Sequence, residues 1–244
     1  MLDESRPDLS FPGRAAWMNR LYADAEPQAV IRATLAAFPG QVALVSSFGA
    51  DSAVLLHLLA QVDPETPVLL VDTGMLFAET LAYRRDLGAA LGLRQMHRLS
   101  ASAPALARDD PDGRLHARDA DACCRLRKVA PLDAARARFP VLINGRKRHQ
   151  AASRAHLQRF EADHAGLSVN PLADWDARAL QRYRHDHALP PHPLAAQGYG
   201  SIGCAPCTSP VAAGEDPRAG RWRGQDKVEC GIHFGAGGTI RRAG

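Results

Sequence analysis

The stretch Val42-Ala43-Leu44-Val45-Ser46-Ser47-Phe48-Gly49-Ala50-Asp51-Ser52, running on into Ala53-Val54-Leu55-Leu56-His57-Leu58-Leu59-Ala60, decides the fold class. Four apolar residues make a short buried strand. A small polar turn follows, and the apolar run after it reads as a buried helix. The turn has the composition of an anion cradle. Gly49 allows unusual backbone angles, Ser46 and Ser47 supply hydroxyl donors, and the free amides of the next helix point at the loop. The Gly-Lys-Ser/Thr ending of a Walker A loop is missing. Taken alone, the segment fits a plain serine-rich turn and a phosphate site about equally.

Working outward, the pattern repeats. Residues 26–38 (EPQAVIRATLAAF) read as an amphipathic helix ended by Pro39-Gly40. A second strand is predicted at 68–71, running into Asp72-Thr73-Gly74, then a helix over 77–91 and a strand over 94–99. Residues 100–120 read as a loop or broken helix, 129–138 as a helix and 141–143 as a further strand. Alternating strands and helices imply a doubly wound, mostly parallel α/β sheet covered on both faces. Ligands of such sheets sit outside the carboxyl ends of the strands, where both the serine turn and Asp72-Thr73 fall. After residue 150 the pattern weakens. A helix is predicted from about Asp174, broken by Pro190-Pro191-His192-Pro193, and the segment from 211 has no periodicity.

The 244 residues are 46% hydrophobic and 23% charged, which excludes a disordered, collagen-like or coiled-coil chain. Thirty Lys+Arg against 26 Asp+Glu give a net charge of +4, too small to name a partner. The basic residues are nearly all arginine, the only lysines being Lys128, Lys147 and Lys227. No secretory signal and no apolar run long enough to span a membrane are visible. Five cysteines, an odd number, fit poorly with an extracellular disulfide framework. A cytoplasmic, reducing compartment is the expectation.

Cys123-Cys124 and Cys204-x-x-Cys207 make four thiols in two pairs. Four thiolates suit structural zinc or a [4Fe–4S] cluster. Adjacent cysteines strain tetrahedral coordination of one ion, whereas a cubane offers separate iron corners, so the pattern favours iron–sulfur. The competing possibility is two unrelated pairs, with the CxxC a redox dithiol. Cys230, in Lys227-Val228-Glu229-Cys230-Gly231-Ile232-His233, is the leftover thiol. It is a candidate nucleophile on a mobile tail, with Lys227, Arg223 and Arg221 near enough in sequence to lower its pKa. An inert exposed cysteine is the alternative.

These blocks together resemble the assimilatory sulfonucleotide reductases, which reduce adenylyl sulfate or its 3′-phosphorylated form to sulfite. The resemblance rests on Ser46-Ser47-Phe48-Gly49-Ala50-Asp51-Ser52, Val71-Asp72-Thr73-Gly74, Cys123-Cys124-Arg125-Leu126-Arg127-Lys128 and Asn170-Pro171-Leu172. It continues in Gly203-Cys204-Ala205-Pro206-Cys207, Arg218-Ala219-Gly220-Arg221-Trp222 and Glu229-Cys230-Gly231-Ile232-His233. It implies an adenine-nucleotide α-hydrolase-like fold, with an N-terminal arm (1–25), a nucleotide-binding and iron–sulfur domain (26–210) and a C-terminal tail (211–244). It implies Cys230 as catalytic nucleophile and Ser46, Ser47, Gly49, Asp72, Thr73, Gly145, Lys128, Arg154, Arg218 and Arg221 as substrate-binding residues. Having all four of Cys123, Cys124, Cys204 and Cys207, the chain most resembles the adenylyl-sulfate enzymes that carry a [4Fe–4S] cluster. Thioredoxin or glutaredoxin is the implied electron donor, and a homo-oligomer (dimer or tetramer) the implied assembly. No nucleic-acid or membrane partner is implied.

In one block the chain departs from the family pattern. Gly145-Arg146-Lys147-Arg148-His149-Gln150-Ala151 has a histidine where the family usually has an acid before Gln, and an alanine where it has a serine after it. The extra positive charge would tolerate a 3′-phosphate. Two other functions suit parts of the sequence. The serine loop and arginine surface suit a PP-loop ATP pyrophosphatase acting on RNA, and the cysteines suit a non-enzymatic iron–sulfur or zinc nucleotide sensor.

Overall fold

The computed structural model describes residues 10–163, 166–225, 227 and 229–231. Strands β1 (Val42–Val45), β2 (Val68–Val71), β3 (Met96–Leu99) and β4 (Val141–Asn144) lie parallel. Two further strands, β5 (Phe160–Asp163) and β6 (Gly166–Val169), complete a six-stranded sheet of order β3-β2-β1-β4-β6-β5. Only β5 runs antiparallel to its neighbour. β2, β4 and β6 are buried along their whole length, which explains their unbroken or small-residue sequences.

Helices cover both faces. One core joins Ile31 of α2 (Pro27–Ala37) with Leu56 and Leu59 of α3 (Ser52–Val62) and Leu87 of α4 (Ala78–Ala90). The other packs Leu132 and Phe139 against Ala43, Leu69 and Leu142. The N-terminal helix α1 (Phe11–Leu21) is capped by Ser10 and covers the antiparallel edge. There Asn19 donates to the Phe160 carbonyl at 2.8 Å and accepts from the Phe160 amide at 3.0 Å. An otherwise open strand edge is thus satisfied by a side chain.

The 100–120 segment is the broken helix expected, α5 (Ala103–Asp109) followed by α6 (Leu115–Arg118). The next helix starts earlier than its apolar pattern suggests. α7 (Ala120–Cys124) is capped by Asp119, whose carboxylate accepts from the amides of Asp121 and Ala122. A π-helical turn, Arg125–Val129, carries it into α8 (Ala130–Arg136). Pro131 has no amide to donate and its ring would crowd the preceding turn, and the wider turn takes up that conflict. Helix α9 (Ala177–Asp186) begins at its Asp176 cap rather than at Asp174.

β1 is followed outward by β2 and β3, and β4 returns on its other side. This reversal opens a crevice at the carboxyl ends of β1 and β4. No helix among the described residues is long and apolar enough to cross a membrane.

Candidate active site

A cavity of about 630 Å³ fills that crevice. Ser46, Ser47, Gly49, Ala50, Asp51 and Ser52 line it, as does Gly145. The Ser46 hydroxyl accepts from the Phe48 amide at 3.1 Å and so shapes the loop. Ser47 is exposed towards the cavity. The left-handed residue of this turn is Phe48, at φ 49°, not Gly49. A fully buried aromatic ring holds the backbone in that strained region. Gly49 meets a different constraint: a Cβ there would sit in tight contact, 3.3 Å from the Ile202 carbonyl oxygen.

Asp72 and Thr73 do not reach the cavity wall. Asp72 is buried, caps the Gly74 amide at 2.9 Å and pairs with Arg98. Thr73 faces the cysteines, its Oγ1 lying 3.3 Å from Cys204 Sγ. The Met75 carbonyl accepts from the Ala205 amide at 2.8 Å, so the β2 loop and the second cysteine pair are stitched together. Both residues end the strand as expected; the Thr73 side chain sits beside Cys204 and that of Asp72 pairs with Arg98.

The four cysteines come from two places. Cys123 and Cys124 sit on α7, and Cys204 and Cys207 flank a short 3₁₀ turn. Burial, followed by the neighbouring thiols of Cys124, Cys204 and Cys207, pushes Cys123 up to about 11. Burial and Cys204 likewise raise Cys207. The four thiols therefore lie within electrostatic reach of one another. Among the described residues no three His, Cys, Asp or Glu side chains converge tightly enough to hold a single metal ion. The donor set, four free thiols in two pairs, fits a multi-iron cluster with separate corners. Arg127 braces the assembly. It donates to Asp110 from Nε at 3.1 Å and Nη2 at 2.6 Å, and to the Thr73 carbonyl at 2.8 Å.

Lys128, one residue further along the π turn, lines the cavity. Burial pulls its ammonium down, but Cys204, Cys230 and Cys124 outweigh that and leave it raised. Lys128 therefore lies within reach of both the cysteine set and Cys230. Cys230 lines the same cavity and is partly buried. Of the three cations suggested by sequence proximity, Arg221 lines the cavity and the other two are engaged elsewhere. Arg223 pairs with Glu215 at 2.8 Å on the surface, and Lys227 pairs with Asp121 of α7. His233 lies outside the described residues.

Arg154, Arg218 and Arg221 all line the cavity. Arg154 and Arg218 both reach Glu229, a residue with no role apparent from the sequence. The one signal was its position, an acid directly before the cysteine in an arginine-rich segment. Arg221 stacks over Trp222, with its guanidinium carbon 4.4 Å from the ring centroid. Its buried Nε has no hydrogen-bond partner among the described residues. The cations of residues 146–148 all have carboxylate partners: Arg146 pairs with Glu161, Arg148 with Asp174, which it shares with Arg159, and Lys147 with Asp51 at 3.5 Å. Arg184 adds a second contact to Asp51 at 3.7 Å.

A profile of the phosphoadenosine phosphosulfate reductase domain matches residues 41–210. The chain belongs to this family. The adenosine 5′-phosphosulfate reductase of Mesorhizobium japonicum is 47% identical over 242 residues, covering 96% of this chain and 95% of that one. The protein of the same name from Deinococcus radiodurans is 42% identical over 236 residues, covering 95% and 91%. The crystal structure of the phosphoadenylyl-sulfate reductase from Candida auris superimposes with a TM-score of 0.69 at 25% identity, covering 84% of this chain and 98% of that one. That reductase and this chain thus share the fold.

Proposed function

We propose that this chain reduces adenylyl sulfate to sulfite and AMP in sulfate assimilation and cysteine synthesis, in a reducing cytoplasm. The observation that carries this reading is the meeting of Cys230, Lys128 and the 46–52 loop in one cavity. AMP occupies the crevice with its phosphate against the loop and the start of α3. The Cys230 thiolate attacks the sulfur of the sulfonyl group. The bond from that sulfur to the phosphate oxygen breaks, and AMP leaves with its electron pair. Cys230 then carries an S-sulfo group.

Attack by one anion on another needs positive charge held in place beforehand. Lys128 and Arg221 supply it from the cavity wall. A thiolate of a protein dithiol, thioredoxin or glutaredoxin, next attacks Cys230 Sγ. Sulfite departs with the bonding pair, and the second thiol of the donor closes a disulfide and frees Cys230. The donor loses two electrons and the substrate sulfur gains them. Cys123, Cys124, Cys204 and Cys207 would hold a [4Fe–4S] cluster, which when bound supplies a polarising charge beside Lys128.

Adenylyl sulfate is favoured over its 3′-phosphorylated form because Arg146, Lys147 and Arg148 are already paired with carboxylates. Two names among the relatives, both adenosine 5′-phosphosulfate reductases, agree. The test is incubation with labelled adenylyl sulfate without reductant, followed by mass analysis of the Cys230 peptide. A sulfonate adduct on Cys230, absent in Cys230→Ser, is expected. No adduct would overturn the mechanism. Catalytic efficiency on the two nucleotides, measured side by side, tests the substrate preference.

A further inference from the structure

Two ion pairs, one partly and one fully buried, hold the segment that carries Cys230. Before Cys230, Lys227 is 5% exposed and donates to Asp121 on α7. Closer still, Glu229 is 3% exposed and accepts from Arg154 through both carboxylate oxygens, Nε to Oε1 at 2.9 Å and Nη2 to Oε2 at 2.9 Å. Arg218 Nη2 adds a third contact to Oε2 at 3.3 Å. Arg154 is itself buried, and its remaining Nη1 donates to Gln150 at 2.6 Å. Each of its three nitrogens is therefore engaged.

A carboxylate in the wall of a cavity built for anions opposes substrate binding. Such a group needs a compensating role. A bidentate fork fixes direction as well as distance, and Glu229 is the residue immediately before Cys230. Holding its carboxylate fixes the Cα of Cys230 to within one peptide, about 3.8 Å away. On the other side Gly231 adopts φ 76°, a left-handed conformation that suits glycine. Among the described residues, the hold on Cys230 comes from its amino-terminal side.

We propose that Glu229 is a positioning residue: its clasp by Arg154 and Arg218 holds the Cys230 thiol in the cavity for sulfonation and retards its exit to the protein dithiol. This rests on Cys230 being the nucleophile. It also divides the basic residues. Arg154 is committed to the tail, whereas Arg221, with its unpartnered Nε, and Lys128 face the sulfonyl group.

The two half-reactions separate this role from a merely structural one. The full-length protein, purified anaerobically, is mixed with saturating adenylyl sulfate without reductant, and the Cys230 adduct is followed by quench and mass analysis. The preformed adduct is then mixed with dithiothreitol and sulfite release is followed. For Glu229→Gln, sulfonation is expected to slow tenfold or more, while release is expected to be faster, and unchanged release would overturn the retarding half of the role. Glu229→Asp, which keeps the charge, is expected to recover part of the sulfonation rate. If Glu229→Gln does not fold, Arg154→Lys removes the fork while keeping the charge, with the same split expected. Sulfonation within twofold of wild type, or both half-reactions slowed together, would overturn the proposal. A normal wild-type adduct alongside an unaffected variant overturns this role of Glu229 alone. Absence of the wild-type adduct overturns the nucleophile assignment and the proposal with it.

Discussion

Thr73 Oγ1 lies 3.3 Å from Cys204 Sγ, joining the end of β2 to a cysteine 131 residues further along the chain. The same oxygen accepts from the Met75 amide at 3.2 Å, which leaves the hydroxyl proton free to point at the sulfur. A hydrogen bond to a thiolate is charge-assisted and favours the ionised, ligating form. Thr73→Val is therefore expected to lower iron retained per chain after exposure to air. AMP affinity is expected to stay within about twofold, since Thr73 is not part of the cavity wall. Iron analysis and calorimetric titration with AMP check the two halves. A collapse of AMP affinity would return Thr73 to the nucleotide site.

The parts of the fold visible in the sequence are those with local causes. Val42-Ala43-Leu44-Val45 and Val68-Leu69-Leu70-Val71 are strands buried on both faces, and their apolar runs say so. β6 is equally buried, but Gly166-Leu167-Ser168-Val169 has no such run, because its pairing with β4 depends on distant chain. The site divides the same way. Ser47, Lys128 and Cys230 could be placed from their motifs. The side chains of Asp72 and Thr73 turn away from the cavity because Arg98 and Cys204, both remote in sequence, engage them. Glu229 was silent for the same reason: its partners lie 75 and 11 residues away.

Gly203 separates folding from activity. A Cβ at this position would collide with the guanidinium of Arg221. That group is the far end of a flexible side chain, so the backbone has no need to move. Gly203→Ala is expected to change stability by less than about 1 kcal/mol, within the range of mild substitutions. Arg221 must swing off Trp222, and sulfite formation is expected to fall by about tenfold or more. Thermal unfolding and turnover, measured on one preparation, check this. Full activity would mean that Arg221 is not needed where it stands.

The Arg127–Asp110 pair sets an acid limit on the fold. Burial pushes Asp110 up, but hydrogen bonds from Arg127 and the Leu115 amide outweigh it and leave the carboxyl lowered. A carboxyl lowered in the folded state contributes stability above its unfolded pKa, about 4. That contribution is lost as pH falls through the lower, folded value. Asp110→Asn leaves Arg127 without its carboxylate partner, and breaking a buried pair in this way costs about 3–5 kcal/mol. The variant is expected to melt at lower temperature at pH 7. Its stability is expected to depend less on pH than that of wild type below pH 4. Parallel pH curves for the two proteins would show that the pair does not govern acid stability.

Lys128 is the charge within reach of both the cysteines and the nucleophile. Cys204, Cys230 and Cys124 all favour its protonated form, so the ammonium stays charged through the neutral range and beyond its ordinary value of about 10.4. Loss of its proton therefore produces no fall in sulfonation rate below about pH 10. Lys128→Met is expected to slow sulfonation by about 10²–10³-fold, the usual effect of removing one preorganised electrostatic donor. AMP lacks the sulfonyl group, so its affinity is expected to fall much less. Lys128→Arg, which restores charge with a different shape, should recover part of the rate. Equal losses in AMP affinity and sulfonation rate would place Lys128 on the phosphate, and an unchanged rate would remove it from the chemistry.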